Sequence, residues 1–196
     1  GVSASTALTA QNARGVTGIH AVPPECIVEQ VKAVQDSIGV DAVKIGMLGT
    51  AAIVDAVDRA LDLLDPQTPI VIDPVMVAES GAVLLDDAAR RALAQKLIPR
   101  ATVITPNVPE ARVLADDPQA QPEQLARALH DLGPQHVLVT GGHTDATTDL
   151  FFDGTTITEI PGARHPDAAP AGSGCTDGST LAAHRARGAP PREAPH

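Results

Sequence analysis

The sequence predicts an α/β fold with a mostly parallel central sheet flanked by helices. Two observations carry this. Short, nearly continuous apolar runs recur, each ended by Gly or Pro, and helical-period stretches separate them. The strand candidates are residues 42–48 ("AVKIGML"), 69–75 ("PIVIDPV"), 101–106 ("ATVITP") and 136–141 ("HVLVTG"). Continuous apolarity, as opposed to strict alternation, marks strands buried on both faces, as in a parallel sheet covered by helices. Residues 25–37, 51–64, 86–97, 108–114 and 122–132 carry apolar side chains at three- and four-residue spacing and read as helices. "LFFDGTTITEI" (150–160) sets Asp-Gly between two strand-like pieces and predicts a β-hairpin. Ahead of all these, the apolar alternation of residues 2–8 is followed by "TAQNARG" (9–15), which reads as a polar loop. The Pro-rich residues 189–196 read as a disordered tail after a single domain spanning 1–188.

The chain has 196 residues, 43% hydrophobic and 19% charged, which suits one soluble domain with a substantial core. No apolar run approaches the roughly 18 residues of a membrane span, so no membrane association is expected. With two Phe and neither Trp nor Tyr, base-stacking platforms are absent, and a net charge of −10 opposes phosphate-backbone binding. Nucleic acid is therefore not an expected partner. Cys26 and Cys175 lie far apart without metal-type spacing, and the sequence shows no signal-peptide pattern. The expected setting is the reducing cytoplasm.

In an open parallel sheet, ligands bind at the carboxyl ends of the strands. The residues following each predicted strand are Gly46-Met47, Asp73-Pro74-Val75-Met76, Asn107-Val108-Pro109-Glu110 and Gly141-Gly142-His143. Asn107 with Glu110 three positions on resembles a capping box, with Pro109 in the first turn. The same Glu110 carboxylate could serve a hard divalent cation. Asp73 either starts a turn before Pro74 or, at a buried strand end, answers a partner charge. Lys44 reads as satisfying a neighbouring carboxylate at a sheet face. Met47 reads as core filling or as a ligand contact, and Gln11 offers amide donors and an acceptor to a heterocycle edge. Cys26, at a helix start after two prolines, reads as structural.

The stretch "AGSGCTDGST" (171–180) is the sharpest signal. Gly172, Ser173 and Gly174 precede a helical run rich in Ala, an arrangement that turns freed backbone N–H groups toward an anion. A helix N-terminus also lowers a thiol's pKa, so Cys175 could take a proton from a substrate hydroxyl. A purely structural cysteine remains the competing reading.

Taken together, "TALTAQNARGV", "VKIGML", "VIDPVMVAESG", "LIPRATVITPNVPEA", "VLVTGGH" and "GSGCT" resemble, in order, the hydroxymethylpyrimidine/phosphomethylpyrimidine kinases of thiamine biosynthesis, within the ribokinase-like fold. The resemblance implies ATP- and Mg²⁺-dependent phosphorylation of a small aminopyrimidine and then of its monophosphate. It implies Cys175 as the catalytic base and Gly172, Ser173 and Gly174 as the anion hole. Gln11 and Met47 would bind the pyrimidine, Asp73, Thr140 and Gly142 would lie at the nucleotide phosphates, and Glu110 would serve the Mg²⁺ shell. A homodimer is a further expectation, and a pyridoxal or pyridoxamine kinase is the nearest alternative.

Some residues depart from that family. Thr140 stands where a phosphate-contacting lysine is usual, Ala171 replaces a common His, and Asp177-Gly178 follow the anion-hole turn. The family places an opening strand and a Gly-rich segment ahead of Gly1 and further helices after Gly188. The sequence accordingly reads as a kinase domain incomplete at both ends, for which a catalytically impaired, pyrimidine-binding role is the other alternative.

Overall fold

The structure, a computed structural model, describes residues 1–12, 15–77, 84–141 and 148–161. Six strands form one sheet in the order β3-β4-β5-β6-β7-β8: β3 (Val43–Ile45), β4 (Ile70–Ile72), β5 (Val103–Ile104), β6 (His136–Val139), β7 (Thr148–Phe152) and β8 (Ile157–Pro161). The β3 to β6 neighbours pair in parallel, and β6-β7-β8 are antiparallel, so the predicted hairpin closes one edge of the sheet. The parallel strands are shorter than the apolar runs that predict them. Backbone hydrogen bonds between neighbours continue just past the strand ends, to Asp73, Thr105 and Thr140.

The alternation of the strands divides the core. Ile70, Ile72, Ile104, Val137 and Val139 join the large apolar cluster with the helices. Val71 and Val103 face the other way and form a second, small buried cluster with Leu138 against it. Both faces of β4 and β5 are buried, as continuous apolar runs require. Lys44 pairs in register with Val71, and Asp73 lies two residues beyond it, so both belong to this second face.

The helices are α1 (Pro24–Ile38), α2 (Ala51–Leu61), α3 (Asp87–Ala92), α4 (Val108–Leu114) and α5 (Pro122–His130). Short polar caps start three of them: Thr50 Oγ1 accepts from Ile53 N–H, Asp86 Oδ1 from Ala89 N–H and Asn107 Oδ1 from Glu110 N–H. The predicted helix over 86–97 is two pieces, with a short turn beyond it. After α3 the chain widens into a π-turn at Leu93–Leu97 and tightens into a 3-10 turn at Ile98–Arg100. Pro99 has no N–H for the carbonyl of Gln95, which disfavours a regular α-turn there, and the wider turn keeps Leu93, Leu97 and Ile98 in the core.

The reading of 9–15 as a loop is corrected for its described residues, 9–12 and 15. Residues Ala7–Asn12 (β1) and Gly15–Ala21 (β2) form a separate antiparallel ribbon with a register shift between Ala10 and Gln11. At its base, Thr6 Oγ1 donates to Met47 O at 2.9 Å. Among the described residues, no helix is long and apolar enough to cross a membrane.

Candidate functional site

Four strand ends meet at the carboxyl edge of the sheet, stitched by backbone bonds. Asp73 N–H donates to Ile45 O and Thr105 N–H to Ile72 O, each at 2.8 Å, and Thr140 N–H donates to Pro106 O at 2.9 Å. An isolated parallel bridge then joins Asn107 to Thr140. Each strand exit is thus fixed against its neighbour.

The exit from β4 carries the buried carboxylate of Asp73. Its backbone turns at once, Val75 N–H donating to Asp73 O at 2.8 Å, which is the turn an Asp-Pro sequence favours. Its side chain also has the partner charge that burial demands: Lys44 Nζ lies 3.1 Å from Asp73 Oδ2, with side-chain exposures of 19% and 10%. Both sequence readings of Asp73 therefore hold, and Lys44 finds its carboxylate as expected.

The exit from β5 carries the capping box. Asn107 Oδ1 accepts from Glu110 N–H at 2.8 Å, and Glu110 Oε2 accepts from Asn107 N–H at 3.0 Å. The other oxygen, Glu110 Oε1, accepts from Met76 N–H at 3.4 Å and ties the loop after β4 to the start of α4. Burial pushes the Glu110 carboxyl above its ordinary value of 4.5. The Asn107 and Met76 N–H groups oppose the shift, and the nearby Asp73 charge adds to it. Asp73 and Glu110 thus sit close enough to share one field, with Thr140 linked to them through Asn107.

The exit from β6 shows a residue that sequence reasoning missed. Gly141 adopts φ +68 and donates its N–H to Asp149 Oδ1 at 3.0 Å. Asp149 lies at the start of the hairpin, and only the antiparallel return of β7 beside β6 brings it there. No local motif marks it. Met47, after β3, lines a cavity of about 540 Å³ beside Lys44 and a smaller one of about 220 Å³ beneath the ribbon. Gln11 lies on β1 with its Cα opposite Val16. Cys175, Gly172, Ser173, Gly174 and Gly142 lie outside the described residues, as do Ala171, Asp177 and the tail. Cys26 is half-buried in α1, where Gln30 Nε2 approaches its Sγ at 3.8 Å.

A parallel sheet with helices, a closing hairpin and acidic strand ends is the architecture of the ribokinase-like vitamin kinases, and solved structures agree. The phosphomethylpyrimidine kinase of Clostridium difficile superposes with a TM-score of 0.84 at 32% identity, covering 98% of this chain and 80% of that one. The pyridoxal kinase of Staphylococcus aureus, solved with AMP-PCP and pyridoxal, gives 0.84 at 30% identity, covering 97% and 71%. In sequence, the hydroxymethylpyrimidine/phosphomethylpyrimidine kinase of Bacillus subtilis is 40% identical over 96% of this chain and 71% of its own length. A thiamine biosynthesis bifunctional protein of Geobacter sulfurreducens is 43% identical over 99% of this chain, which spans 40% of that longer protein. The phosphomethylpyrimidine kinase family model matches residues 1–196, and the chain belongs to that family.

Proposed function

We propose that this protein transfers the γ-phosphoryl group of ATP to the hydroxymethyl group of hydroxymethylpyrimidine, and then to the monophosphate so formed, as a step of thiamine biosynthesis. The observation that carries the reading is the family match over residues 1–196, beside the carboxylates of Asp73 and Glu110 at the carboxyl edge of the sheet.

Phosphoryl transfer asks a protein mainly for positioning and for neutralising charge. In this reading Gln11 recognises the aminopyrimidine edge and Met47 packs on its ring. Cys175 accepts the proton of the attacking hydroxyl, and the backbone N–H groups of Gly172, Ser173 and Gly174 hold the phosphoryl oxygens. Thr140 and Gly142 take the nucleotide phosphates at the end of β6. Mg²⁺ suits the donor set, because Asp73 and Glu110 offer hard carboxylate oxygens in a partly desolvated place. It would supply charge neutralisation to the phosphates. Among the described residues, no group of three His, Cys, Asp or Glu side chains could hold a metal ion. Phosphate and water would therefore complete its shell, as is usual for Mg²⁺ in kinases.

The likeness to a pyridoxal kinase keeps a second substrate in view. Competition between hydroxymethylpyrimidine and pyridoxal for phosphorylation by Mg-ATP separates the two: the pyrimidine is expected to have the higher kcat/KM, and turnover of pyridoxal alone would reverse the assignment.

Thr140 bears on rate. It is half-buried at the end of β6 with its backbone held by Pro106 O, and its side chain brings no cation to the phosphates. Thr140→Lys is expected to raise kcat by about one to two orders of magnitude, the size of effect one well-placed charge-stabilising donor has in a transition state. Steady-state kinetics checks this, and an unchanged kcat would show that charge at this strand end does not limit the reaction.

A further inference from the structure

Lys44 and Asp73 form the most enclosed ion pair among the described residues. Their side chains are 19% and 10% exposed, whereas both members of every other pair are at least 29% exposed. Removing two charges from water this far is costly, so the pair is weak evidence for stability as such. What it does at this place is set charge. Lys44 reaches from β3 to the carboxylate at the exit of β4 and binds Oδ2 alone; among the described residues Asp73 Oδ1 has no hydrogen-bond partner. Glu110 stands nearby with each oxygen accepting one backbone N–H, which leaves lone pairs on both. The two carboxylates and one ammonium together carry a single negative charge.

The affinity of an oxygen site for a divalent cation rises with the number of anionic ligands. A strand-end site of net charge −1 with two carboxylates holds a bare cation poorly, and phosphate oxygens change that count decisively. We infer that Lys44 is a positioning residue that fixes Asp73 by Oδ2 and offsets its charge, so that a divalent cation is held firmly only together with an anionic phosphate ligand. This rests on the reading that Asp73 and Glu110 face the cation. Its consequence is coupling: nucleotide and metal each strengthen the other's binding, because neither finds a balanced site alone.

The test measures Mn²⁺ binding by the full chain, from the electron paramagnetic resonance signal of the free ion, at about pH 8, where carboxylates are ionised. Wild type, Lys44→Met, Lys44→Gln, Lys44→Arg and Asp73→Asn are compared with and without AMP-PCP, each nucleotide sample read against the same Mn²⁺ and AMP-PCP without protein, and circular dichroism reports which variants are folded. Without nucleotide, Lys44→Met is expected to bind Mn²⁺ about tenfold or more tightly than wild type, since one nearby positive charge is gone. Lys44→Gln, which keeps a donor for Asp73, should gain similarly if the methionine variant does not fold. Lys44→Arg should stay within about threefold of wild type, and Asp73→Asn should bind more weakly. The strengthening of Mn²⁺ binding by AMP-PCP should shrink in both neutral variants. A merely structural lysine cannot yield a gain in affinity on removal, so equal or weaker Mn²⁺ binding by the folded neutral variants overturns the inference, as does a gain in Lys44→Arg. If wild type takes up no Mn²⁺ even with AMP-PCP, the cation site itself is refuted, and the inference with it.

Discussion

Cys175→Ala is expected to lower kcat for pyrimidine phosphorylation by about 10²–10⁴-fold, the range typical of losing a general base, while leaving the pyrimidine KM within about threefold. The hydroxymethyl group is a poor nucleophile until its proton is taken. In the proposed mechanism Cys175 takes that proton, the role that the resemblance of "GSGCT" to the family's motif implies. The loss corresponds to about 3–5 kcal/mol of transition-state stabilisation at 1.36 kcal/mol per decade. Cys175→Ser tests the same point by another route. A hydroxyl of similar size fills the space but does not ionise near neutral pH, so it should not rescue. Cys175→Asp restores an ionisable acceptor and should recover more activity than Ser. Full activity in Cys175→Ala would remove the thiol from the mechanism and return it to a structural role.

Glu110→Ala should also act strongly, and in two measurable ways. One carboxylate closes the capping box with Asn107 and ties Met76 to α4, so its removal leaves two backbone N–H groups without their acceptors. Losing the cap and these bonds should cost about 1–2 kcal/mol of folding stability, read by chemical denaturation. In the proposed role the same oxygens face Mg²⁺, so the Mg²⁺ concentration for half-maximal rate should rise at least about tenfold. Glu110→Gln separates the two effects. It keeps one acceptor oxygen and most of the stability, yet loses the charge and should show the same Mg²⁺ defect.

Titration of Glu110 adds a sign that both variants must erase. Burial raises its folded-state pKa above the ordinary 4.5, so the folded protein prefers the protonated form more than the unfolded chain does. Its contribution to stability is therefore fully present below 4.5 and is lost as pH rises through the raised value. In the proposed role, cation binding would need the ionised form and would move the opposite way, strengthening as pH rises through that same value. Stability and Mg²⁺ affinity should thus cross in one acidic window in wild type, and Glu110→Gln should flatten both slopes there.

The sheet was legible because burial on two faces leaves continuous apolar runs, and Ile70, Val71 and Ile72 are all buried as that pattern requires. The β1–β2 ribbon was not legible. It stands apart from the six-stranded sheet, with Leu8 63% and Ile19 45% exposed, so no core imposed an alternating pattern on residues 8–10. The π-turn at Leu93–Leu97 hid inside an ordinary helical pattern, and Pro99 was its only local trace. At the site, the cap at Asn107 and Glu110 could be read from spacing alone, because it is a local structure. The Lys44–Asp73 pair could be half read: a buried lysine demands a carboxylate, but which one depends on β3 lying beside β4. Asp149 on Gly141 depends wholly on the hairpin's return and left no mark in sequence.

Phosphorus NMR of the full chain with Mg-ATP and hydroxymethylpyrimidine tests the reaction most directly. A pyrimidine monophosphate signal should appear and then be consumed as a diphosphate forms, with ADP released at each step and Cys175→Ala forming neither product at a comparable rate. Pyrimidine binding without any phosphorylated product under saturating Mg-ATP, or transfer to pyridoxal alone, would contradict the proposed reaction.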